Sequence, residues 1–168
     1  MSERAFPPAL AALHELDFNF DEGIDFRPFS EFLSSADTTR WFQAWTANGE
    51  VSGDEFRVFG DDGTGGYAAF RLGSQSDDIL SQPIVFMGSE GQTGVVARDF
   101  SAYLWLLANN IGPMEAVTAG VAEQRPNAAF MRFAEQHAPE ARRSPAEILE
   151  DANLALPDFL AYIDSLCR

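Results

Sequence analysis

Seven residues, Gly60-Asp61-Asp62-Gly63-Thr64-Gly65-Gly66, separate two short apolar runs, EFRVF (55–59) and YAAFRL (67–72). Asp-Gly and Gly-Gly pairs supply the positive φ values that tight hairpin turns require. Aromatic and apolar residues on both sides suit a pleated, buried surface. The stretch therefore predicts two antiparallel strands joined by a turn that Gly60, Gly63, Gly65 and Gly66 shape. Two chemical readings compete with it. A phosphate cradle needs glycines leading into a helix, with a cation to hold the anion; here a strand follows, and Asp61 and Asp62 would repel phosphate. A calcium loop finds oxygen donors in Asp61, Asp62 and Thr64, but the EF-hand spacing and its terminal Glu are absent.

Two further strands follow. PIVFM (83–87) is apolar throughout, as expected of a strand covered on both faces, and GSEGQTG (88–94) turns the chain into VVA (95–97). The rest reads as helix and loop. Pro7 or Pro8 opens a helix with Leu10, Leu13 and Leu16 on one side. DFNFDEGIDFRP (17–28) alternates polar and aromatic residues and is expected to wrap across the core. Asp37 is placed to cap a helix that groups Trp41, Phe42 and Trp45, with Asn48-Gly49 ending it. Asp99 caps a helix apolar all round, from Phe100 to Ala108, which predicts a buried position against the sheet. Asn127 to His137 is amphipathic, with Phe130, Phe133 and Ala134 inward and His137 on the same stripe. Ser144-Pro145-Ala146-Glu147 is a capping box with proline at its first helical position. Pro157 opens a last helix grouping Phe159, Tyr162, Ile163 and Leu166.

Strands in one block with helices on either side predict an α+β fold, with a mainly antiparallel sheet of about four to six strands flanked by several helices. No linker, repeat or low-complexity stretch divides residues 1–168, so one domain is expected.

Composition excludes several function classes. The chain carries 26 Asp and Glu against 11 Lys and Arg, a net charge of −15, and every one of those 11 cations is Arg. Without lysine there is no Schiff-base chemistry. A surface this acidic repels nucleic acid, whose binding rests on neutralising phosphates, and repels anionic membranes. It suits a basic protein, whose approach it would accelerate. The acidity is uneven, with 15 acidic residues against 5 Arg in residues 1–80. No apolar run approaches the roughly 20 residues of a membrane span. The amino-terminal patch is broken by His14 and Glu15, unlike a secretory signal, and the single cysteine, Cys167, cannot form an intrachain disulfide. A cytoplasmic protein is expected.

Catalytic constellations are missing as well. His14 and His137 have no second ligand at helical spacing, so structural roles are expected for both and no metal site is predicted. Ser89 lacks the GxSxG setting of a nucleophile elbow, with Met87 where the first glycine belongs and no helix after it. No catalytic residue and no cofactor are expected, and the chain reads as a binding protein rather than an enzyme.

FGDDGTGGYAAFRL followed by QPIVFMGSEGQTGVVARDFSAYLWLLANNIGPMEA resembles the SUKH superfamily in its SMI/KNR-type branch. The likeness runs from Phe56 to Ala116 and rests on an acidic glycine turn followed by an Asp-Phe-x-x-Tyr-Leu helix, carried by Gly60, Asp62, Gly63, Gly66, Glu90, Phe100 and Leu104. The Leu-Pro opening and Gly-Gly segment usual before the first strand are absent, and residues 119–168 form a helical extension outside the likeness. The resemblance implies a strongly bent sheet with helices packed round it and a non-enzymatic role. Bacterial members look like immunity proteins that neutralise toxin domains, many of them nucleases; fungal members look like regulatory scaffolds of cell-wall synthesis. The expected function is thus neutralisation of a cognate, basic toxin, with a regulatory or scaffold module as the alternative. Candidates for an acidic binding face are Asp54, Glu55, Asp61, Asp62, Asp77, Asp78 and Glu90, all in or near loops of the expected sheet.

Overall fold

The computed structural model describes residues 4–73, 76–119 and 125–168. Five antiparallel strands form one open sheet in chain order: β1 (Arg27–Pro28), β2 (Phe56–Asp61), β3 (Tyr67–Arg71), β4 (Ile84–Met87) and β5 (Thr93–Ala97). Around it lie α1 (Pro8–Leu13), α2 (Ser35–Thr46), α3 (Phe100–Leu107), α4 (Pro113–Thr118), α5 (Ala128–His137), α6 (Pro145–Ala155) and α7 (Phe159–Leu166). The fold is α+β. Of the extension 119–168, residues 120–124 lie outside the described residues.

Strand alternation divides the core in two. Phe59, Ala68, Phe70, Ile84, Phe86 and Val96 face a cluster built with Leu10 and Leu13 of α1, every residue of α3 except Ser101, and Phe130 and Phe133 of α5. Phe56, Val58, Ala69, Val85 and Met87 face the opposite cluster, with Phe42 of α2 and Phe159 and Ile163 of α7. Helix α6 packs on the edge strand β5 and contributes Ile148 to the first cluster and Ala152 to the second. Because both faces are covered, β4 has no polar side. Its PIVFM sequence follows from that.

Two ladders carry irregularities. The β2–β3 register shifts between Val58 and Gly60, and the β4–β5 register between Ile84 and Val85. Such bulges bend a strand and sharpen its twist. Gly60 belongs to the first of them, inside β2 and not in the turn as the sequence suggests. It is glycine because a Cβ there would meet Phe26 Cζ at 2.1 Å and the Arg27 carbonyl at 2.8 Å. The close approach lets β1 pair with the end of β2, Arg27 opposite Asp61 and Pro28 opposite Gly60. A two-residue strand with proline on a sheet edge leaves no periodic trace, so 17–28 reads from sequence only as a wrapping segment.

Helix boundaries differ at both ends of α2, and α7 begins at Phe159 behind Asp158 and not at Pro157. Ser34, not Asp37, caps α2: its hydroxyl accepts from the Asp37 N–H at 3.1 Å and donates to the Asp37 carboxylate at 2.9 Å. The helix ends on Ala47, in the left-handed region at φ 53°, and not on Gly49. The neighbouring Asn48 holds that ending through its side chain, donating to the Leu166 carbonyl at 2.8 Å and accepting from the Glu50 N–H at 3.0 Å. The Asp99 and Ser144 caps stand where the sequence puts them, and Asn127 caps α5. His137 is exposed rather than on the buried stripe, and stacks on Phe133 at 4.0 Å.

Candidate functional site

The seven acidic residues singled out from sequence do not share a face. Strand β2 runs from the Glu55 end to the Asp61 end, about 17 Å by strand rise, and antiparallel pairing sets the rest. Asp54 and Glu55 precede β2, and Asp77 and Asp78 lie in the β3–β4 connection, so these four stand at one end of the sheet. Asp61, Asp62 and Glu90 stand at the other, where the β2–β3 and β4–β5 turns lie side by side.

Nor are all seven free surface carboxylates. Asp54, Asp77, Asp78 and Glu90 are exposed, and Asp78 caps the short turn Ile79–Ser81 by accepting from the Leu80 N–H at 3.0 Å. Glu55 is engaged by Arg71 at 2.8 Å and by the Tyr162 hydroxyl at 2.7 Å. Asp61 and Asp62 are only 6% and 4% exposed. Buried carboxylates need partners, and both have them.

Asp62 is the hub of the hairpin. Its Oδ1 accepts from the Thr64 N–H at 2.9 Å, the Thr64 hydroxyl at 2.9 Å and the Gly66 N–H at 2.8 Å. Around this oxygen the backbone closes with Asp62 N–H on the Gly66 carbonyl at 3.0 Å, while Gly65 takes φ 98°. Gly66 leaves no room for a Cβ, which would meet Phe86 Cζ at 2.7 Å and Gly88 Cα at 2.9 Å. Ser89 Oγ donates to Thr64 Oγ1 at 3.0 Å, joining the two turns. Asp61 points the other way and takes a bidentate grip on Arg27, at 2.9 and 2.6 Å. The Arg27 side chain is itself 76% exposed, and the Asp61 carboxylate raises its pKa through hydrogen bonding and then charge.

Beside this hairpin lies a groove of about 390 Å³, walled by Phe18, Phe20, Asp25, Arg27, Asp62 and Gly63. Sequence reasoning missed three of its members. Phe20, in the short helical turn Phe20–Glu22, is 71% exposed, which is rare for so large a ring. Asp25 accepts from the Gly63 N–H at 2.9 Å and thereby fastens segment 19–28 to the turn. Arg27 is known to matter only once β1 is paired with β2. The one local clue was the alternation in DFNFDEGIDFRP: Ile24 and Phe26 go inside, leaving Asp25 and Arg27 outward.

The groove's side-chain chemistry is apolar and anionic, with one cation. Its three carboxylates, Asp25, Asp61 and Asp62, all serve internal partners through defined oxygens, which favours recognition over proton transfer. Among the described residues no group of three or more His, Cys, Asp or Glu is arranged to hold a metal ion, and no helix is long and apolar enough to cross a membrane. Compared with known proteins, the chain matches no family model, no curated protein and no solved structure.

Proposed function

We propose that the chain acts by binding a basic protein at the hairpin end of its sheet, without catalysing a reaction. The observation that carries this reading is Phe20, an exposed aromatic ring on the rim of a groove that also presents Asp25 and the exposed Arg27 side chain held on buried Asp61. An aromatic anchor surrounded by fixed charges is the composition of an interface centre. A net charge of −15 favours a cationic partner and speeds its approach.

In its specific form the proposal is an immunity protein, working in the cytoplasm against a basic toxin domain, with a nuclease the natural target because an acidic surface competes with nucleic acid. The resemblance of residues 56–116 to the SUKH superfamily supports this form. Co-expression with the toxin domain encoded beside its gene should rescue growth, and the purified pair should form a complex that weakens as salt rises. Neither rescue nor a complex would end the immunity reading. Co-purification with a housekeeping assembly instead would assign the chain to a regulatory scaffold.

A further inference from the structure

We propose that the groove beside the hairpin receives an arginine side chain of the basic partner, its guanidinium against Asp25 and Asp62 and its stem along Phe18 and Phe20. That the guest belongs to a protein rests on the reading above. The chemistry of the pocket rests on the contacts of this chain.

Asp62 carries the inference. At 4% exposed it is the most buried carboxylate among the described residues, and a buried charge calls for a counter-charge. The other carboxylates that the strand ends draw inward have one: Asp61 holds Arg27, and Glu55 holds Arg71. Among the described residues no cation engages Asp62. Its Oδ1 takes three donors from the turn, while its Oδ2 accepts no hydrogen bond and stays open to solvent. Asp25 repeats the pattern, with one oxygen on the Gly63 N–H and the other unbonded. Since Arg27 cancels only Asp61, the groove presents two uncompensated negative charges.

The apolar wall chooses among cations. Phe18 and the exposed Phe20 offer aromatic faces beside the two carboxylates. A guanidinium is planar and weakly hydrated, so it leaves water for such a face more readily than an ammonium does. Its five N–H donors let one head group meet carboxylates from two chain segments. A calcium ion suits the donors poorly, because it needs about six to eight oxygens and Asp62 Oδ1 is already spent on three donors. The turn amides hold both carboxylates in place before any guest arrives, which lowers the ordering cost of binding.

The isotopically labelled full chain, titrated with a capped tripeptide carrying arginine between two glycines, tests this without a partner protein. Amide shifts at Phe20, Asp25 and Gly63 should saturate with a dissociation constant on the order of 1 mM. The lysine and citrulline counterparts should bind at least about tenfold more weakly. Asp25→Asn and Asp62→Asn keep an oxygen for the turn amides, and each should weaken the arginine peptide about tenfold. Phe20→Ala should weaken it as well. The double change Asp77→Asn and Asp78→Asn removes more charge at the far end of the sheet and should leave the affinity within about twofold. The pocket is overturned by the absence of saturable shifts at these amides up to about 20 mM peptide. Equal affinity for arginine and lysine overturns it too, as does an affinity that the Asp77 and Asp78 changes lower as much as Asp62→Asn. Asp25→Asn, Phe20→Ala and the citrulline peptide decide the matter even if Asp62→Asn does not fold. A chain that ignores the arginine peptide yet forms a salt-sensitive complex with a basic protein would sink the pocket and leave the proposed function standing. Arginine binding without any such complex would do the reverse.

Discussion

Tyr162 donates a hydrogen bond of 2.7 Å to Glu55, closing a contact over 107 residues of sequence. The same carboxylate holds Arg71 at 2.8 Å, and the Arg71 guanidinium lies 5.1 Å from the centre of the Tyr162 ring. Helix α7 is fastened to the open end of the β2–β3 ladder by these three side chains. A hydrogen bond to a charged group contributes about 1.5–3 kcal/mol when buried. The site is partly exposed, so Tyr162→Phe should cost nearer about 1 kcal/mol. The urea midpoint measures it. Asp54→Asn, at the exposed neighbour of Glu55, should shift stability by less than about 0.5 kcal/mol. Equal effects would mean that Glu55 does not anchor the helix.

The hairpin makes a graded prediction. Asp62→Asn keeps the Oδ1 acceptor and should be mild. Asp62→Ala strands the Thr64 and Gly66 donors, at about 1–3 kcal/mol. Gly60→Ala should be worse than either, because its Cβ would lie 2.1 Å from Phe26 and 2.8 Å from a backbone oxygen that cannot move aside cheaply. Thermal unfolding of the three variants gives the order directly. If Asp62→Ala melts with the wild type, the turn is held by its glycines alone.

What the sequence revealed was local, and what it hid was long-range. The β2–β3 hairpin shows in EFRVF and YAAFRL because strand period and turn chemistry lie within a few residues of one another. The Ser144–Glu147 capping box shows for the same reason. The end of α2 at Ala47 does not, because Asn48 reaches a carbonyl 118 residues away. Asp61 reads as a free loop carboxylate because Arg27, which occupies it, lies 34 residues upstream; Asp62 is occupied inside its own turn, by Thr64 and Gly66. Asp25 joins the site through a glycine 38 residues on. A single chain read in order gives the composition of an acidic face. It does not give the pairing that withdraws Glu55, Asp61 and Asp62 into the structure.

Two half-buried groups should set opposing pH slopes. His14 gives its Nδ1 to the Phe29 carbonyl at 2.6 Å, and its Nε2 is buried without a partner among Phe6, Phe18, Phe26 and Phe59. Burial lowers its pKa below 6.5. The unfolded chain then takes up the proton first as pH falls through 6.5, so stability is lost on the acid side. Glu115 behaves in reverse. Its pKa rises from 4.5 to about 7, so its contribution is fully present below pH 4.5 and lost as pH climbs through about 7. Chemical denaturation across this range should show Glu115→Gln steadier than the wild type on the alkaline side. His14→Gln should flatten the acid side alone. A His14→Gln curve parallel to the wild type below pH 6.5 would remove His14 as the cause.

Phe20 separates folding from function. With 71% of its surface exposed it contributes little to the core, so Phe20→Ala should leave stability within about 0.5 kcal/mol of the wild type. If it anchors the partner, the same change should cost about 2 kcal/mol of binding, which is roughly a 30-fold loss of affinity. The charges make a second comparison. Asp77→Asn and Asp78→Asn, at the far end of the sheet, should change the association rate and its salt dependence through net charge, leaving dissociation unaltered. Arg27→Ala acts at the groove and should change dissociation, since it unseats the Asp61 carboxylate as well. Association and dissociation rates with the proposed basic partner, measured at two ionic strengths, read all four variants. A partner whose dissociation responds to Asp77 and Asp78 but not to Phe20 or Arg27 would move the binding surface to the opposite end of the sheet.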